Sequence, residues 1–315
     1  INLTAPLASG ATFEFKIKWW YNINNHRTQG GRSGYEHFPD GNNNYVIAQF
    51  YPRMCVYDNV EGWQNDQFWG RSEFALEFGD FTVNITTPED HMLGATGVLL
   101  NEKEVLTRKQ LKKLAQAKKS FDKIVIIQSQ KEAEKVEKKR AKKTKTWKFK
   151  ATNVRDYAFA SSRKFIWDGM AVDINGKTVM AYSYYSREAN PLYGDHSTKA
   201  VAQTLKTYSE YTFDYPYHKA ISVDGQMGME YPQICFNPGR PDADGTYSDR
   251  VKYRMIKVTI HEVGHNFFPM IVNSDERQWT WMDEGLNSYM EMLAELAYDK
   301  DFPITRGYPK NIVRY

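Results

Sequence analysis

Cysteine is scarce in this chain, with Cys55 and Cys235 alone among 315 residues. Two thiols exclude a disulfide framework and a thiolate metal cluster, and both read as buried free side chains. Long apolar runs are also missing. No stretch of about 18 apolar residues occurs, so no membrane-spanning helix is predicted. The opening INLTAPLASG has neither a basic head nor an apolar core, which excludes a secretory signal within it. The chain therefore reads as soluble, with cytoplasm, periplasm and secretion left open, as is oligomeric state. It starts on Ile1 rather than Met, the pattern of a processed or partial chain. A strong charge of one sign is lacking too, at a net +4, but the charge is unevenly spread. Residues 103–150 hold 18 Lys and Arg against 5 Asp and Glu, which leaves the remainder acidic. A basic block suits an anionic surface. However, KEVLTRKQLKKLAQAKKS spaces Val105, Leu106, Leu111 and Leu114 as a surface helix with a solvated lysine face. KEAEKVEKKRAKK mixes both signs and has no aromatic platform for bases. No nucleic-acid partner is expected.

What is present is a globular composition, 41% hydrophobic and 25% charged, long enough for two domains. The first part reads as β structure. In TFEFKIKWWY, Phe13, Phe15, Ile17 and Trp19 alternate with charged residues, the pattern of a half-buried strand. A second strand is expected near YVIAQFYPRMCVY. EFALEFGDFTVNITTP places Phe74, Leu76 and Phe78 on one face, breaks at Gly79-Asp80 and resumes with Phe81, Val83 and Ile85, which predicts a hairpin. A Lys-rich helical insertion follows at about 102–143, with a short strand around Ile124–Ile127, and TKTWKFKATNV returns to strand. A domain boundary is placed near residue 155, giving 1–155 and 156–315. Beyond it, residues 157–174 and KTVMAYSYY read as two strands, STKAVAQTLKTYSEYTF as a helix, KAISVDGQMGMEYPQICFN as extended, and a long helix starts near Arg250. The fold class is α+β.

HEVGH carries the chemistry. His261 and His265, four apart on a helix, share one face and can bind one zinc ion, while Glu262 points about 100° away, within reach of a metal-bound water. Eighteen residues separate His265 from Glu284, which opens WMDEGLNSYMEMLAELAYDK, a helix with a predicted core stripe at Leu286, Tyr289/Met290, Leu293 and Ala297. Glu284 completes a His₂Glu set with one position left for water, the composition of a catalytic zinc site. Glu291, on the same helix face, is placed to hydrogen-bond a ligand histidine. In GQMGMEYPQ, Gly225 and Gly228 permit close approach of an extended ligand, and Glu230 offers an anion for a free α-amine.

HEVGH, Glu284 within DEG, and GMEY together resemble the aminopeptidase N family of zinc metallopeptidases, the gluzincins that include leukotriene hydrolase. The resemblance covers most of the chain. It implies a β-rich saddle-like domain followed by a thermolysin-like catalytic domain, and release of N-terminal residues from peptides with a free N-terminus by metal-activated water. It assigns zinc binding to His261, His265 and Glu284, catalysis to Glu262, the substrate amine to Glu230, and backbone contacts to Gly228 and Met229. A saddle-domain residue that assists the amine corresponds to Gln49 in AQFYPR, where Tyr51 stands at the acidic position. Asp283 stands where the family has Asn, and Asn266-Phe267-Phe268-Pro269 follows the second histidine, which implies an altered cleft. The family's oxyanion tyrosine and helical domain lie further downstream than this chain reaches, so Tyr289, Tyr298, Tyr308 and Tyr315 receive no role and a C-terminally truncated chain is expected, its activity alone left open. Other readings stay open: a thermolysin-type endopeptidase, although Ser288 stands where that class carries aspartate; a non-catalytic scaffold; and hydrolysis of a lipid epoxide.

Overall fold

The computed structural model describes residues 2–68 and 73–304. Its centre is a six-stranded mixed sheet in the order Met229–Tyr231, Ile234–Asn237, Lys219–Asp224, Lys177–Tyr185, Ile166–Ile174 and Val125–Gln128. Lys219–Asp224 runs parallel to both of its neighbours, and the outer pairs are antiparallel. Because side chains alternate along a strand, this sheet serves two cores. Along Lys177–Tyr185, Val179, Ala181 and Tyr185 enter a core shared with the helices Leu192–Tyr211, Asp249–Gly264 and Leu286–Tyr298. Met180, Tyr182 and Tyr184 enter the opposite core. That second core is closed by two smaller sheets. One is antiparallel, ordered Gly34–His37, Asn43–Ile47, Phe159–Ser162 and Met92–Ala95. The other pairs Thr144–Val154 with Gly79–Pro88 and Val98–Leu99. Trp147 and Phe149 of Thr144–Val154 are almost fully buried there, and each contributes about 1.5–3 kcal/mol by leaving water.

The α+β class holds, and several local readings are corrected. TFEFKIKWWY forms no strand. Phe13, Phe15, Ile17 and Trp19 are 44–48% exposed, and the segment joins no ladder among the described residues. Alternation yields a strand only where a free edge and a core accept it; here Trp19 Nε1 donates to Phe50 O at 2.8 Å instead. EFALEFGDFTVNITTP is no hairpin. Gly79–Pro88 pairs with Thr144–Val154, with Asp80 Oδ1 accepting the Asn153 N–H at 2.9 Å where the ladder begins. The basic segment is thus an excursion between two paired strands. Its helix Arg108–Ala117 starts at a Thr107–Gln110 capping box. Residues 157–174 divide into Phe159–Ser162 and Ile166–Ile174, which belong to different sheets, with buried Lys164 between them 3.0 Å from Glu188. The extended piece 219–237 resolves into three strands.

The predicted core stripe of the last helix is rotated. Leu286 and Tyr289 are exposed, while Asn287, Met290, Glu291, Ala294 and Glu295 are buried. The buried face is polar because it is the face turned to the histidines. Tyr308 and Tyr315, like the last eleven residues of the second expected domain, lie outside the described residues.

Candidate active site

The helix Asp249–Gly264 is capped by Ser248, whose side chain accepts the Val251 N–H, and is seated by Met255, Ile256, Ile260 and Val263. That face fixes His261 and Glu262 one turn from its end, with His265 as C-cap. Gly264 lets the helix press against its neighbours, since a Cβ there would collide with the Tyr208 hydroxyl and the Asn287 carbonyl oxygen. Glu284 arrives from another direction. A π turn, Trp281–Gly285, opens the helix Leu286–Tyr298, a device that inserts an extra residue into a helical turn and re-aims what it carries.

The three candidate ligand atoms converge. His261 Nε2 lies 3.0 Å from His265 Nε2, and Glu284 Oε2 is 3.3 Å from the first and 3.8 Å from the second. Ligands about 2.0–2.1 Å from a tetrahedral zinc ion stand about 3.3 Å from one another, so the set fits that ion. The far side of each ring is engaged. His261 Nδ1 lies 2.9 Å from Glu291 Oε2, and His265 Nδ1 lies 2.9 Å from Phe268 O and from Asp283 Oδ1. Both Nε2 atoms are thereby turned to the metal position. Asn287 donates through Nδ2 to His261 O at 2.9 Å and accepts from Tyr208 Oη at Oδ1, 2.8 Å away. Lys257 Nζ, 2.8 Å from Glu291 and 3.0 Å from Glu295, balances the acidic side.

Glu230, Glu262 and His265 form a second close group, with donor atoms within 4.8 Å of one another. Met229 and Tyr231 pack in the core behind the sheet, which turns Glu230 to the histidine face. Gly228 sits against the base, where a Cβ would meet Glu262 Oε1 at 2.8 Å. Gly225 packs instead on Phe236 and Val46. Gln49 does not reach Glu230; its Nε2 donates to Tyr231 Oη at 3.1 Å, one residue along. Tyr51 is spent on Asp156, at 2.7 Å.

The charges follow from crowding. Burial pushes the carboxyls of Glu230 and Glu262 up, and the imidazoles only partly offset it. Glu284 is pulled down to about 2, chiefly by its contact with His261. Burial disfavours the His261 imidazolium, yet Glu284 and Glu291 outweigh it and hold the ring up at about 10. One oxygen of Glu262 is buried without a hydrogen-bond partner, the mark of a group awaiting water, substrate or ion. A cavity of about 290 Å³ opens on His261, Glu284 and Glu291 beside Met292.

The motifs did not signal four further participants. Asn287 stands three residues after Glu284, a spacing that puts it on the same helix face. Tyr208 comes from a helix far away in sequence. Arg32 and Glu73 form an ion pair from the first part of the chain. Arg32 also lowers the pKa of Glu284, and Glu230 helps hold the guanidinium charged against burial.

No protein-family model matches this chain. A curated relative is aminopeptidase 2 of Candida albicans, 24% identical over 144 residues, which are 42% of this chain and 15% of that protein. Among solved structures, an M1 zinc metallopeptidase from Deinococcus radiodurans superposes with a TM-score of 0.50, at 16% identity, over 83% of this chain and 47% of its own. The fold is that of the M1 zinc metallopeptidases. The resemblance to aminopeptidase N-like zinc metallopeptidases thus extends from the motifs to the backbone. The chain spans less than half the length of either relative. No helix among the described residues is long and apolar enough to cross a membrane.

Proposed function

We propose that this chain carries the active site of a zinc-dependent aminopeptidase that hydrolyses N-terminal residues from peptides. The observation that carries the reading is Glu230 standing with Glu262 and His265 in one close, buried group: an anchor for an ammonium beside a base. His261, His265 and Glu284 hold one zinc ion per chain. When bound, zinc polarises the scissile carbonyl and acidifies the water that attacks it. Glu262 takes that water's proton and passes it to the leaving amine. Glu230 binds the substrate's α-ammonium, so the first peptide bond lies over Glu262. Gly228 and Met229 hold the peptide backbone extended, and Gln49 steadies the anchor through Tyr231. Glu291 orients His261, and the Phe268 carbonyl does the same for His265. The peptides have a free N-terminus.

With this reading goes a division near residue 155 into a β-rich, saddle-like part, 1–155, and a thermolysin-like peptidase part, 156–315. Arg155, at the line, ties Phe74 O of the first part to Pro269 O and Glu276 of the second. Two strands cross the line, Val125–Gln128 into the large sheet and Phe159–Ser162 into a small one.

Paired peptides, one with a free N-terminus and one acetylated, test the reading in the zinc-loaded protein. Cleavage should be confined to the free form, at its first bond. Equal cleavage of the acetylated form would make the site an endopeptidase, and substoichiometric zinc after reconstitution would make it a scaffold.

A further inference from the structure

An unexplained cavity lies on the other face of the central sheet. A cavity of about 420 Å³ opens there between the sheet and Thr144–Val154, within the size range of small-molecule sites. Trp147, Phe149, Trp167, Tyr182 and Tyr184 give it aromatic walls. Into it comes Lys219, on the same strand face as Ile221 and Val223, which pack in this core.

Lys219 is 7% exposed, and among the described residues its ammonium has no hydrogen-bond or ion-pair partner. The nearest aromatic ring is that of Phe149, 5.5 Å from Nζ. Glu102, at the wall, is committed to Lys118 at 3.2 Å. The indole N–H of Trp167 is likewise buried without an acceptor. Both buried lysines and buried indoles ordinarily find partners. Here a largely aromatic cavity holds an ammonium and an N–H that no side chain accepts from, and its one carboxylate, Glu102, is paired with Lys118. Burial pushes the Lys219 amine down to about 7, with Glu102 pulling weakly the other way, and His218 beside it is held neutral by burial. The shape and the missing acceptor describe the ligand: an apolar body with one anionic end.

We propose that this cavity is a second binding site, separate from the histidine site, for a medium-chain fatty acid, whose carboxylate pairs with Lys219 and whose tail lies among the aromatic walls. The ion pair restores the charge that burial disfavours, and the tail replaces void with contact.

Decanoate, decanol and decylamine, titrated into the full chain and read by calorimetry and by fluorescence of the wall tryptophans, test it. Decanoate should bind at least about ten-fold tighter than decanol, as a charged hydrogen bond is worth, and decylamine should not bind. Lys219→Met should erase the preference for decanoate while decanol still binds. Val98→Trp, at a wall position 45% exposed and so harmless to folding, should weaken decanoate and decanol alike. This second variant decides the matter where Lys219→Met fails to fold. Decanoate binding should survive removal of metal by a chelator. Equal affinity for decanoate and decanol, undiminished decanoate binding in either variant, or loss of binding on chelation, which would place the acid at the histidines, each overturns the proposal.

Discussion

The two faces of the central sheet are polar opposites. Behind the helices, Glu230, Glu262, Asp283, Glu284 and Glu291 crowd around two imidazoles, an excess of acceptors that calls for cations. On the other side, the Lys219 ammonium and the Trp167 N–H stand at an aromatic-walled cavity, donors that call for an anion. Neighbouring residues on one strand divide between the two sides: Trp167 faces the aromatic cavity, while Asp168 accepts from Thr198 and from Tyr185 on the helical side. The difference teaches that a sheet covered on both faces can keep two incompatible electrostatic environments a strand's thickness apart, because alternation sends successive side chains to different cores.

The comparison can be broken from the acidic side first. Glu262→Gln should lower kcat by about 10²–10⁴-fold, as loss of a general base does, while zinc content is unchanged; full activity would remove Glu262 from the chemistry. A smaller change is expected from Glu291→Gln, which leaves all three ligands in place but weakens the orienting contact to His261. Zinc affinity should fall about 10–100-fold, measured by competition with a chromophoric chelator, and unaltered affinity would leave Glu291 a purely structural partner of Lys257.

The smallest effect concerns Asp168. Burial raises its carboxyl from 3.8 to about 7, with Thr198 and Tyr185 partly offsetting. Its folded pKa lies above the unfolded one, so its contribution is most favourable below pH 3.8 and is lost as pH rises to about 7. Denaturant titrations of Asp168→Asn across that window should show a shallower decline than wild type. Identical slopes would mean that the helical face tolerates this charge.

The readable elements were those in which local pattern and tertiary role agree. Thr144–Val154 alternates cleanly because one face meets the core, and Asp249–Gly264 carries both a serine cap and an apolar stripe. The histidines and Glu284 were readable because their spacing is itself the chemistry. The pattern misled where a segment lacked a partner, as in TFEFKIKWWY, and where function took the buried face, as at Asn287 and Glu291, whose burial no hydropathy period predicts. The cavity was beyond reach for another reason. Its walls run from Leu93 to Ile221, and nothing local marks residues that meet only after three sheets have stacked.

The π turn at Trp281–Gly285 gives the site an unusual tolerance profile. Asn287 and Glu291 ride one helix, entered through the turn that carries Glu284, so the three groups are aimed together. Deletion of a single residue within the turn would swing the whole helix by about 100° and carry all three groups away from the histidines together. Length between residues 281 and 285 is therefore held as tightly as the side chains themselves.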